Sequence, residues 1–78
     1  MASFEVRVVD DEDDGLSGRR VTLSFTGLLR GTTAEEHTDS RGCATFDGYE
    51  EGEVKVFVDG SDCGTYDYED GGSITVTP

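Results

Sequence analysis

Three groups of residues carry side chains able to do chemistry. His37 and Cys43 stand on either side of a short turn, where an imidazole could serve as base to a thiol nucleophile. With Cys63 they would offer three of the four ligands that a structural zinc ion takes. Asp10, Glu12 and Asp14 alternate through a run of five acids that ends at Gly15, the beginning of an oxygen-ligand calcium loop. Tyr49, Tyr66 and Tyr68 could present flat faces on which a sugar stacks.

Each group lacks what would complete it. No third residue near His37 is placed to orient the imidazole, and no Cys-x-x-Cys pair supports a zinc centre. A calcium loop of the helix–loop–helix type needs a carboxylate at its twelfth position and helices on both sides. Counting from Asp10 that position is Val21, and both flanks read as strands. A run of like charges is expected to stay in water, so 10–14 reads as a solvated loop. Tyr66 and Tyr68 alternate onto one face of a strand and read as packing at the edge of the core. Cys43 and Cys63 read as reduced thiols, although bridging them would close a loop worth about 3 kcal/mol in the chain-entropy account. The expectation is therefore no enzyme, no catalytic residue and no cofactor, with Asp10, Glu12 and Asp14 as the cation candidates.

The elements that must position these residues are short and alternating. Phe4, Val6 and Val8 set a first strand over 4–9, and Val21, Leu23 and Phe25 a second over 21–26. Gly27-Leu28-Leu29-Arg30-Gly31 reads as a link whose leucines cap the core. A polar third strand over 33–38, with Glu35, Glu36 and His37, is expected at a sheet edge, where charge discourages stray pairing. Asp39-Ser40-Arg41-Gly42 then has the order of a type I turn followed by a left-handed bulge residue. It reads as a hairpin into a fourth strand, 43–46, with Ala44 and Phe46 inward. Gly48 and Gly52 bracket an acidic loop before the most apolar strand, 54–58, with Val54, Val56 and Val58 inward. A turn over 59–62, a sixth strand over 64–68, a turn at 70–72 and a seventh strand over 73–77, with Ile74 and Val76 inward, complete the chain. Seven short strands and no helical period predict an all-β fold, a two-sheet β-sandwich, as one domain over 1–78.

Composition narrows the partners. Ten Asp and eight Glu against five Arg and the single Lys55 give a formal charge of −12. Such a chain is repelled by nucleic acid backbones and by anionic membranes, so neither is expected as a partner. A protein met through an edge strand or an acidic face is the expected one. The start, Met1-Ala2-Ser3, runs directly into strand pattern with no basic end and no long apolar run, which reads as cytoplasmic. The Asp- and Glu-rich, Lys-poor composition resembles that of proteins from salt-loving archaea. In about 1 M salt the Debye length falls to about 3 Å, and carboxylates that repel one another in dilute buffer cease to do so.

The order of motifs also resembles a family. A first strand, a Gly-Leu-Ser-Gly link (15–18) and Val21-Thr22-Leu23 precede Thr38, Asp39, Gly42, Phe46, Gly48, Gly52 and Val54 to Val58. That succession is similar to the carboxypeptidase regulatory-like and collagen-adhesin B-type domains of the transthyretin-like sandwich group, across about Phe4 to Val76. Ser17 stands where such domains often carry Pro, and the loop before it is more acidic. The resemblance implies a seven-stranded immunoglobulin-like or transthyretin-like Greek-key β-sandwich that serves as a spacer, stabiliser or interaction module. One enzymatic branch of the group, the 5-hydroxyisourate hydrolases, needs several histidines and a Tyr-Arg-Gly-Ser ending. This chain has one His and ends Ile74-Thr75-Val76-Thr77-Pro78. The alternative function is binding of a cation by the 10–14 loop or of a carbohydrate by exposed tyrosines.

Overall fold

A computed structural model describes residues 2–25 and 32–78. Their strands are β1 (Ala2–Val8), β2 (Arg20–Phe25), β3 (Thr32–His37), β4 (Cys43–Tyr49), β5 (Gly52–Val58), β6 (Ser61–Tyr68) and β7 (Gly72–Val76). They form a three-stranded sheet, β4-β1-β7, stacked on a four-stranded sheet, β3-β2-β5-β6. β5 returns beside β2 instead of β3, the displaced neighbour of a Greek key, and β7 pairs with β1 in parallel. The fold is the expected all-β sandwich. The leucine link at 27–31 lies outside the described residues.

Alternation builds the core. Val6, Val8, Val21, Leu23, Val54, Val56 and Val58 are completely covered, and Phe4, Phe25, Ala44, Phe46 and Val76 nearly so. Removing each such Val, Leu or Phe side chain from water contributes about 1.5–3 kcal/mol. The register places Leu23 between Ala34 and Val56, and Val21 beside Val58, so the inward residues of three strands meet in one layer. Ile74 faces the same way as its neighbour Val6 but is only half covered, because β7 is the last strand of its sheet.

β3 lies at a sheet edge as its charge implied. The Asp39–Gly42 turn, however, does not join two neighbours in one sheet. β3 pairs with β2, whereas β4 pairs with β1 from Ala2↔Tyr49 to Arg7↔Cys43. The turn is a corner that carries the chain from one sheet to the other, since the inward faces of Ala44 and Phe46 find their partners on β1. Strand boundaries also move, most of all around β5. β4 and β5 reach Tyr49 and Gly52, which leaves only Glu50 and Glu51 between them. β6 begins at Ser61, because Asp59 (φ 51°) and Gly60 (φ 88°) alone make the turn. Both have positive φ, the two-residue turn whose twist suits a hairpin.

Candidate functional site

The acidic loop is an ordered turn. The Asp10 carboxylate accepts N–H bonds from Glu12 at 2.8 Å and from Asp14 at 3.0 Å, both on Oδ1. Asp13 N–H donates to the Asp10 carbonyl at 3.1 Å, and Asp10 N–H donates to the Asp14 carbonyl at 2.9 Å. The Asp39 corner repeats this bond for bond. Asp39 Oδ1 accepts from Arg41 and Cys43, Gly42 N–H donates to the Asp39 carbonyl, and Asp39 N–H donates to the Cys43 carbonyl. Asp13 (φ 65°) occupies the left-handed position that Gly42 (φ 85°) fills in the other turn. Asp10, Glu12 and Asp14 thus share one turn, but the Asp10 carboxylate is engaged with its own backbone, and Glu12 and Asp14 are exposed without converging.

These twin turns dock on each other and on Thr38. Val8 N–H donates to the Gly42 carbonyl at 2.7 Å, and Leu16 N–H donates to the Val8 carbonyl at 2.8 Å. Thr38, buried at this end, donates from Oγ1 to the Leu16 carbonyl and accepts from Arg19 N–H. Its backbone exchanges bonds with Gly18 and Arg19. Beside it Asp59 accepts Arg20 N–H at 3.1 Å and pairs with the Arg19 guanidinium at 3.1 Å. The N–H of Arg20 and then the Arg19 side chain hold the Asp59 carboxyl below its usual range. The N–H groups of Cys43 and Arg41 do the same for Asp39. All of these residues lie at one end of the sandwich and brace it.

The nucleophile and zinc candidates are dispersed. His37 is exposed at the end of β3, Cys43 lies on β4 of the other sheet, and Cys63 lies on β6. Both cysteines are free and half-buried. Burial first, then the neighbouring charges of Glu5 and Asp39, pushes the Cys43 thiol up; burial and Asp62 push up Cys63. Neither is activated. Among the described residues no three His, Cys, Asp or Glu side chains come together as a metal site.

Tyr49 and Tyr68 meet at the opposite end, but not as a platform. Tyr68 is completely buried and donates its hydroxyl to the Ala2 carbonyl at 2.7 Å. Burial raises its phenol. Phe4, Phe25 and Tyr49 pack around it at ring separations of 5.1, 5.5 and 6.1 Å. Tyr66 is half-buried, its hydroxyl bonded to the Cys63 carbonyl. An open cleft of about 410 Å³ lies at this end, lined by Ala2, Tyr49, Glu50, Glu51 and Asp70. Its carboxylates also serve the fold: Glu51 accepts Asp70 N–H, and Asp70 accepts Ser3 N–H.

Sequence reasoning missed the Thr38 clamp and the order in the acidic loop. A Thr directly before an Asp turn was the available signal for the first. The Asp10 to Asp14 spacing, equal to Asp39 to Cys43, was the signal for the second. Comparison with models of known families, with curated proteins and with solved structures finds no match.

Proposed function

We propose that the chain is a non-enzymatic interaction or structural module, a transthyretin-like sandwich of the carboxypeptidase regulatory-like or collagen-adhesin B-type kind. It works in a salt-rich cytoplasm and meets a protein partner through a sheet edge or an acidic face. The observation that carries this reading is where the polar groups are used. Every buried side-chain N or O among the described residues has a hydrogen-bond partner. Those partners are the fold's own backbone, as at Thr38 and Tyr68. A catalytic centre instead gathers perturbed groups around a place where substrate can sit. Here the lowered carboxyls cap turns, and the thiols and phenol are raised mainly by loss of water.

The cation and carbohydrate alternative has less support, because Asp10 is bonded to its own turn and Tyr68 is covered. Capture from the source lysate in molar salt tests the proposal. The expected result is a partner retained by the immobilised domain and released by excess soluble domain. Recovery of no protein contradicts it.

A further inference from the structure

The two sheets have four outer strands: β3, β6, β4 and β7. In three of them the edge is guarded. β3 carries Glu35 and Glu36, and β4 carries Asp47. β6 carries Asp62 and Asp67 and is broken by a register shift opposite Lys55 to Phe57, where Gly64 takes φ 106°. Charge and bulges are the means by which edge strands refuse additional partners. β7, Gly-Ser-Ile-Thr-Val, has no charged residue and keeps an unbroken register with β1. In a chain of charge −12 it is the edge at which a like-charged molecule meets least repulsion.

The backbone of β7 sets how it could pair. Val9 N–H donates to the Val76 carbonyl, so the peptide groups of Val76 face β1. Strand alternation turns those of Ile74 the same way and those of Ser73 and Thr75 outward, where no described strand meets them. An antiparallel pairing of two β7 strands about a two-fold axis at Ile74 satisfies this pattern. Ser73 of each copy then exchanges N–H···O bonds with Thr75 of the other. The two half-covered Ile74 side chains become a close, non-hydrogen-bonded pair on the core side.

We infer that β7 is a self-pairing edge whose occupant is a second copy of this chain, joined antiparallel to form a continuous six-stranded sheet across the dimer. This rests on the reading of the domain as an interaction module and names its edge and partner. Each copy brings the same excess of negative charge, so pairing requires screening and strengthens with salt.

Sedimentation equilibrium of the chain in about 0.1 M and about 3 M KCl tests it, salt being the variable that sets the screening length. Monomer is expected in dilute salt and a concentration-dependent dimer in concentrated salt, with the Ser73 and Thr75 amides exchanging more slowly in the dimer. Thr75→Pro deletes an outward N–H without touching the β1 pairing. Thr75→Asp charges the edge beside Arg7, its neighbour in the register, and so keeps the monomer. Both variants are expected to weaken dimerisation by about tenfold or more. A chain that stays monomeric in concentrated salt, or a dimer indifferent to both variants, overturns self-pairing. That outcome leaves the module reading to its own test, which falls only if lysate capture also returns nothing.

Discussion

Gly15 and Gly42 lie backbone against backbone. A Cβ added to Gly42 would sit 2.7 Å from the Gly15 Cα and 2.6 Å from the Val8 carbonyl oxygen, and one added to Gly15 would run into the carbonyl oxygen of Arg41. The loop after β1 and the corner before β4 are thereby pressed together where the chain changes sheets. Gly15→Ala must push two backbone segments apart, and overpacking of that kind costs about 3 kcal/mol. Chemical denaturation of the variant is expected to show that loss. A variant as stable as the parent would mean that the two turns are not in contact.

The paired turns lead to a stabilising change. Asp13 takes the left-handed conformation that Gly42 takes in the equivalent turn. That conformation carries a steric cost for a residue with a Cβ, partly offset by the greater chain entropy that Gly loses on folding. Asp13→Gly is expected to gain about 0.5–1 kcal/mol. Asp13→Asn removes the same charge without freeing the backbone, so the Gly variant should melt above the Asn variant. Equal melting of the two would trace the gain to charge alone.

Acid should loosen the braced end. The carboxyls of Asp39 and Asp59 lie below their ordinary value of 3.8, held there mainly by backbone N–H bonds. A carboxyl depressed by folding contributes stability that is complete above its unfolded pKa. That contribution is lost as pH falls through the lower folded pKa. The melting difference between the parent and Asp39→Ala should hold from neutral pH down to about 4 and shrink below it, the unfolded carboxyl titrating near 3.9. Carbon-detected titration should find both carboxyls below that value. A titration at or above it would remove these bonds from the account.

Much of this was legible beforehand where the signal is local. The alternation of Val54, Val56 and Val58 and the Asp39 to Gly42 order each specify a conformation from a few adjacent residues, and both are as expected. The same local rule concealed the Asp10 turn, because Asp13 stands where Gly would have announced it. The crossing from β3 to β4 looks locally like a hairpin because the turn's own bonds are those of a hairpin. What overrides them is the pairing of β4 with β1, far back in the chain. Tyr68 packs into the core as its strand alternation implies, but its hydroxyl bond to Ala2 joins opposite ends of the sequence and leaves no local trace.

The charge provides the most direct test of the proposal that this acidic sandwich works in concentrated salt. Eighteen carboxylates face six basic side chains on a chain with a thin core, so self-repulsion opposes the compact state until salt screens it. Thermal melting followed from about 0.05 M to about 3 M KCl spans a screening length that falls from beyond 10 Å to below 3 Å. The melting temperature is expected to climb steeply over that range and to climb less with an uncharged osmolyte at the same osmolality. A melting temperature that does not change with KCl contradicts the account.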